Sequence, residues 1–196
     1  MLTLSTSFAD ENKTYVVSGT DDVTEIVVDE FGVPHIYAEN HYDVFFAQGF
    51  NAARDRLWQI DLWKRRGLGQ LSEILGEQYL EQDRAARMFV YRGDMYAEWL
   101  AYGNDAKLIS KSFTAGINAF VELAKVNPEL MPVEFALLGY QPSTWQADEV
   151  VRIRSTGWWR NVVSEVWRAR LACEGKLEEA AQWRTLEPNW QTRVPA

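Results

Sequence analysis

Two long stretches of this chain repeat apolar residues at helical spacing, and that rhythm limits the fold more than any other feature. From Tyr42 onward, Phe46, Phe50, Ala53, Leu57, Ile60 and Trp63 follow one another at intervals of three or four residues, the stripe of a long amphipathic helix. Asn40 is placed to cap its start, and Gly67 and Gly69 to end it. Ile109, Phe113, Ile117, Phe120 and Ala124 repeat the rhythm, with Asp105 near one end and Lys125 near the other, as the helix dipole prefers. Asn127-Pro128 stops that second helix.

The period differs elsewhere. Tyr15-Val16-Val17, Val23-Thr24-Glu25-Ile26-Val27-Val28 and Val33-Pro34-His35-Ile36-Tyr37 are β-branched and aromatic runs after a polar start, and Asp29-Glu30-Phe31-Gly32 reads as a turn. Two or three strands with a hairpin are expected, and Pro34, which donates no backbone hydrogen bond, belongs at a strand start or edge. Leu71, Ile74 and Leu75 predict a short helix ended by Gly76, and residues 79–89 a further helical stretch. Pro132 and Pro142 bracket a short apolar segment, Val133–Leu138, and Ser143 or Thr144, ahead of Asp148 and Glu149, is placed to open the next helix. Residues 148–186 read as helices around Gly157 and Gly175, and 187–196 as a surface tail. No repeat or linker divides the 196 residues, so one α+β unit is expected, mainly helical with a few strands.

Composition removes several classes of function. Twenty Lys and Arg against 28 Asp and Glu leave a net charge of −8, no footprint for phosphate backbones, so no nucleic-acid partner is expected. One cysteine allows no intrachain disulfide and no multi-cysteine site. No run approaches the roughly 20 apolar residues that span a bilayer. The N-terminus lacks a basic lead and an apolar run, so no intact secretory signal is expected. The 26 aromatic residues exceed what one small core needs and suit pockets and interfaces.

A self-contained active site is hard to assemble from these residues. There is no Gly-rich phosphate loop, paired-His zinc motif or nucleophile elbow. His35 and His41 have no Ser or Cys at a recognisable spacing and read as hydrogen-bonded structural imidazoles, and Cys173, among Leu171, Ala172 and Arg170, as a small buried thiol. Arg54-Asp55-Arg56, Asp83-Arg84 and Glu165 with Arg168 or Arg170 look like ion pairs. No spaced acidic loop supplies the six to eight oxygens calcium needs. One segment resists a purely structural reading: Ser155-Thr156-Gly157-Trp158-Trp159-Arg160-Asn161-Val162-Val163-Ser164-Glu165 sets two indoles, a guanidinium and an amide beside a glycine. That combination fits a pocket wall with directed donors as well as it fits core packing.

Several motifs occur in one order. Val28-Asp29-Glu30-Phe31-Gly32-Val33-Pro34-His35-Ile36-Tyr37-Ala38, Gln48-Gly49-Phe50 and Ala53-Arg54-Asp55-Arg56-Leu57-Trp58-Gln59 come first. Gly69-Gln70-Leu71-Ser72-Glu73-Ile74-Leu75-Gly76, Asp83-Arg84-Ala85-Ala86-Arg87 and Gly139-Tyr140-Gln141-Pro142-Ser143-Thr144-Trp145 follow. Together, from about residue 22 to about 170, they resemble the small (α) subunit of the penicillin acylase family of N-terminal nucleophile hydrolases.

The resemblance implies a two-chain enzyme. A precursor cuts itself, and the new N-terminal Ser of the larger β chain attacks an amide with its own α-amino group as base, so no catalytic residue is expected in this chain. It implies that Trp158, Trp159, Arg160 and Asn161 line the acyl pocket, and that Glu165 ligates a structural calcium shared with the partner. The chain would supply part of an αββα four-layer sandwich completed by the larger subunit. The Trp158-Trp159-Arg160 stretch departs from the Arg-Phe pair of penicillin G acylases. β-Lactam side-chain amides, acyl-homoserine lactones and N-acyl amino acids therefore stay open as substrates. Arg160 either pairs with an acyl carboxylate or braces the structure, for instance through Glu165. The family points to a periplasmic or secreted protein, with a cytoplasmic one still open. The rival from another class is a non-catalytic helical interaction module.

Overall fold

The computed structural model describes residues 2–6, 13–154 and 159–182. Contacts divide the chain into two compact units, Met1–Arg154 and Ser155–Ala196. In the first, four strands form one sheet in the order β2-β1-β3-β4: β1 (Leu2–Thr6), β2 (Lys13–Tyr15), β3 (Thr24–Val28) and β4 (Pro34–Tyr37). β1 lies antiparallel to β2 and parallel to β3, and β3 and β4 form the antiparallel hairpin with Val28 opposite Pro34. Pro34 thus opens an edge strand, where its missing N–H interrupts no ladder. β1 falls in the stretch read from sequence as a polar start; Thr and Ser at every other position hide a strand whose identity is set by pairing with β3.

The hairpin turn is organised by Asp29. Its Oδ1 accepts the N–H groups of Phe31 (2.9 Å) and Val33 (2.8 Å), and His35 Nε2 lies 3.1 Å from its Oδ2. His35, first, and these amides hold the Asp29 carboxyl below its ordinary value of 3.8. A depressed carboxylate stabilises the fold above its unfolded pKa and loses that contribution as pH falls through the folded one. Amide exchange at Phe31 and Val33 should therefore accelerate as pH drops from about 5 to below 3, beyond the intrinsic pH effect, and Asp29→Asn should abolish that excess. An equal pH response in both proteins would count against this role.

α1 (His41–Leu68) and α5 (Ala106–Val126) are the two predicted helices. Asn40 caps α1 by accepting the Asp43 N–H at 3.0 Å, while buried Asp43 accepts the Asp21 and Asp22 N–H groups and so fixes the approach to β3. Gly69, in the left-handed region at φ 68°, ends α1 with its N–H on the carbonyls of Arg65 and Arg66. The two helices cross closely enough to exclude any side chain at two points. A Cβ on Gly49 would lie 1.9 Å from the Phe113 carbonyl oxygen, and one on Gly116 would lie 1.9 Å from that of Phe46. Around the crossing lie Phe46, Phe50, Ala53 and Leu57 of α1, Ile117, Phe120, Val121 and Ala124 of α5, and Ile26 of β3. The Phe50 and Phe120 rings meet edge to face at 5.4 Å. Each large side chain fully buried here contributes roughly 1.5–3 kcal/mol.

Trp63, expected on the buried stripe, is 71% exposed. The buried face of Phe46, Phe50, Ala53 and Leu57 runs on through Asp61, Lys64 and Gly67 at the same three- and four-residue intervals, which leaves Trp63 to one side of it; within the helix the backbone of Arg56 departs from the helical region (φ −145°, ψ 33°).

The remaining helices of this unit are α2 (Ser72–Leu75), α3 (Leu80–Phe89), α4 (Met95–Leu100), α6 (Val133–Leu138) and α7 (Ala147–Arg152). α4 had no apolar period long enough to be read. α7 is capped by Gln146 in a capping box with Glu149, not by Ser143 or Thr144. In the second unit α8 (Trp159–Cys173) packs with α9 (Leu177–Gln182). The expected tail at 187–196 lies outside the described residues.

Candidate functional site

Beyond the break in α1 the inward face is ionic, and each charge holds a motif segment. Asp61 is 1% exposed; it accepts the Ser143 N–H (3.0 Å), the Ser143 hydroxyl (2.7 Å) and Arg65 Nε (2.8 Å). Lys64, 3% exposed, donates to the Thr144 carbonyl, lies 3.1 Å from Glu149 and sits over the Trp145 ring. Asn118 of α5 completes the anchor, its side chain exchanging two hydrogen bonds with the Trp145 backbone at 2.7 and 2.9 Å. Ser143, expected as a helix cap, is spent on Asp61. Tyr140, under the Arg65 guanidinium, has its hydroxyl pushed up to about 12 by burial first and by the Asp61 charge second, so it stays neutral at physiological pH. The path into α7 is therefore fixed by a buried ionic row.

A second clamp joins two other motifs. Asp83, expected to pair with Arg84, is instead buried and accepts the N–H groups of Leu71 (2.9 Å) and Ser72 (2.7 Å) and the Ser72 hydroxyl (2.6 Å). Arg84 pairs with Glu81 on the surface. Arg87 Nε donates to the Gly69 carbonyl at 2.9 Å. Two unpaired N–H groups in a buried turn need a carboxylate more than a surface cation does. The expected Arg54–Asp55 pair is present at 2.7 Å.

α4 and the residues before it are tied to α7 and the residues just after it. Trp99 Nε1 donates to Asp148 at 3.0 Å, and Arg152 and Tyr91 exchange two hydrogen bonds, from Arg152 Nη1 (2.8 Å) and the Tyr91 N–H (3.3 Å) to each other's carbonyl oxygens. Arg154 follows, 2.5 Å from Glu98 and over the rings of Tyr91 and Tyr102. Nothing in the sequence pattern distinguishes these residues from surface charges.

Of the residues expected to line a pocket, Trp158 lies outside the described residues, and Trp159, Arg160 and Asn161 open α8 with side chains that also lie outside them. Glu165 stands one turn further on, exposed and 2.7 Å from Arg168, one of the two pairings expected for it. His35 is tied to Asp29 as a structural imidazole, and His41 stacks on Tyr42 at 4.0 Å between centroids. Cys173, expected to be buried, is exposed: it lies at the solvent side of the last turn of α8. Among the described residues no three His, Cys, Asp or Glu side chains gather as a metal would require. Among the described residues Glu165 offers one exposed carboxylate, a hard oxygen donor of the kind calcium takes. In these clamps the described side chains position segments of backbone. No described helix is long and apolar enough to cross a membrane.

Comparison with known proteins gives one consistent result. Residues 23–191 match the family described as penicillin amidase. The chain is 32% identical over 130 residues to penicillin G acylase of Escherichia coli, covering 66% of this chain and 15% of that one. It is 35% identical over 130 residues to the penicillin acylase 2 proenzyme of Pseudomonas sp. strain SE83, covering 66% and 16%. To the acyl-homoserine lactone acylase QuiP of Pseudomonas syringae pv. tomato it is 25% identical over 142 residues, covering 72% and 17%. It thus spans about a sixth of the curated relatives it matches. Among solved structures, a chain of a thermostable penicillin G acylase from Alcaligenes faecalis superposes with a TM-score of 0.66 at 27% identity, covering 93% of this chain and 99% of that one. The family match over residues 23–191 and the mostly helical fold shared with that structure agree, and the chain belongs to the penicillin amidase family.

Proposed function

We propose that this chain is the small subunit of a two-chain N-acyl amide hydrolase. One observation carries the reading: the chain corresponds to 99% of a solved penicillin G acylase chain but to only 15–17% of curated relatives, one of them named a proenzyme. That contrast is what a precursor cut into a small and a large chain produces. Large apolar side chains left exposed on α3, α4 and α6, among them Met88, Leu100 and Leu137, suit burial against a larger partner, together with which the chain would complete an αββα sandwich.

In this reading the partner's N-terminal Ser hydroxyl attacks the acyl carbonyl while its α-amino group takes the proton and passes it to the leaving amine. Water then releases the acid from the acyl-enzyme. Trp158, Trp159, Arg160 and Asn161 of this chain shape the acyl pocket, with apolar faces for the acyl group and donors that orient it. β-Lactam side-chain amides and acyl-homoserine lactones are the substrates that the relatives' names favour, and succinyl-type N-acyl amino acids remain in play through Arg160. The enzyme would work in the periplasm or outside the cell, which fractionation of the native source tests.

The native protein should co-purify with a larger chain whose N-terminal sequencing begins at Ser, and replacing that Ser by Ala should leave an unprocessed, inactive precursor. A chain that purifies alone and binds a protein partner without hydrolysing amides would favour the interaction module instead. Calcium, held by Glu165 with partner oxygens, would tie the two chains together. Losing a direct ligand should cost at least as much as losing an outer-shell partner, about 10–100-fold in affinity. Glu165→Gln should therefore lower the calcium retained by the two-chain protein after dialysis, measured by atomic emission; unchanged retention would reject the ligand role.

A further inference from the structure

We propose that the larger chain adds a strand to the free edge of β4, with Phe31 at the hairpin tip as the anchor of that contact. The inference rests on the reading above that a larger chain of the same precursor accompanies this one. β4 closes one side of the sheet, and no strand lies beyond it among the described residues. The turn shows which backbone groups this edge presents. The Asp29 N–H donates to the Val33 carbonyl at 3.1 Å, so these two form a hydrogen-bonded pair; by alternation so do Val27 with His35 and Glu25 with Tyr37. His35 and Tyr37 therefore direct their N–H and carbonyl groups to β3. The Pro34 carbonyl and both backbone groups of Ile36 point the opposite way, to the open edge. Pro34 has no N–H to donate, so it ends the pairing edge on the turn side and sets the register of a strand that adds there.

An open edge beside exposed apolar side chains invites pairing. Ile36 packs against the core, whereas Tyr37 is 57% and Phe31 83% exposed. Phe31 stands on a turn already fixed by Asp29 and by Gly32 in the left-handed region at φ 78°, so little ordering is left to do when its ring is covered. Past Ile36 the edge opens into a groove of about 680 Å³ lined by Val23, Glu25, Ile36, Tyr37, Glu39 and Val44. An extended segment along β4 would set apolar side chains on the face of Ile36 and Val44 and a Lys or Arg on the face of Glu25 and Glu39. A second copy of this chain is the poorer occupant, since it brings the same two Glu residues and a net charge of −8 to an acidic edge. The larger chain has the length to supply the strand: this one covers only 15–17% of its curated relatives.

The test uses the processed two-chain protein. Hydrogen exchange resolved to single residues should find the Ile36 amide slowed about a hundredfold or more from its unstructured rate, alongside those of His35 and Tyr37. An Ile36 amide within about tenfold of that rate, with His35 and Tyr37 protected, overturns the proposal. Dissociation of the two chains, followed by size exclusion on dilution, gives a second readout. Phe31→Ala should raise the dissociation constant about tenfold or more, as loss of an aromatic anchor does. Ile36→Pro, which removes the outward N–H and leaves the ladder to β3 intact, should raise it at least as much, while Ile36→Val, which keeps that N–H, should stay within about threefold. Wild-type dissociation of Ile36→Pro overturns the added strand, and wild-type dissociation of Phe31→Ala overturns the anchor. If Ile36→Pro fails to mature, exchange at Ile36 in the unmutated protein decides. A native protein with no second chain overturns the underlying reading itself, a result distinct from a two-chain protein whose Ile36 amide exchanges freely.

Discussion

Gly116→Ala should destabilise the protein by about 3 kcal/mol or more, at the upper end of what overpacking costs. The added Cβ would sit 1.9 Å from the Phe46 carbonyl oxygen and 2.8 Å from the Phe50 nitrogen, and both are backbone atoms of α1 that no rotamer change can move. The helices would have to separate by more than 1 Å to restore the 3.0 Å below which real Cβ contacts essentially never fall. That opening would strip contacts from Phe46, Phe50, Ile117 and Phe120 together, because all four belong to the same buried cluster. Gly49→Ala, wedged against the Phe113 carbonyl, should cost a similar amount, and the double substitution less than the sum, since one separation relieves both. The measurement is the urea midpoint at constant slope, with Gly103→Ala as control. Gly103 is exposed and its Cβ would meet only an Asp105 oxygen at 3.5 Å, so that change should stay within about 0.5 kcal/mol. A Gly116→Ala midpoint equal to wild type would mean that the helices do not cross this closely.

A loss of similar size is expected from Asp61→Ala, for a different reason. Removal of this carboxylate leaves the Ser143 N–H and hydroxyl without their acceptor and Arg65 Nε without its 2.8 Å partner. Breaking a buried charge pair on one side typically costs about 3–5 kcal/mol, because the remaining charge stays desolvated. Arg65 keeps a second contact, 3.3 Å from Glu73, and can turn toward it, which places the expected loss near about 3 kcal/mol. Asp61→Asn, with the same shape and one remaining acceptor, should lose less than half as much. Comparable losses for Asn and Ala would show that shape, not charge, holds the turn at Ser143. Limited proteolysis gives a second readout: cleavage should appear first between Gly139 and Trp145, the stretch that Asp61, Lys64 and Asn118 anchor.

Both effects concern how the chain holds its shape, and the proposed chemistry depends on that shape. Three of the ordered motifs are spent on structural ties. Gly69 to Ser72 and Asp83 to Arg87 are the two sides of one clamp, and the stretch from Gly139 to Trp145 is tied to Asp61, Lys64 and Asn118. A buried turn needs its N–H groups matched, and these residues match them.

Local periodicity was enough to locate the two long helices, their caps at Asn40 and Gly69, the hairpin at Asp29 and the stop at Asn127-Pro128, because each depends on residues within a few positions of one another. β1 could not be read that way, since its strand character comes from pairing with Val27 and its neighbours more than twenty residues away. Nor could the inward face of α1 beyond Arg56. A pattern of apolar residues assigns Trp63 to the core, whereas the buried face of the helix runs on through Asp61 and Lys64 and leaves Trp63 exposed. Asp83 and Glu98 follow the same logic: a carboxylate looks like surface until the turn or cation that needs it is brought alongside. The sequence by itself determined which segments are helical and to which family the motifs point. Only the tertiary structure decided which charges are buried and what they hold, because the cost of burying a charge is met by partners that folding alone brings near.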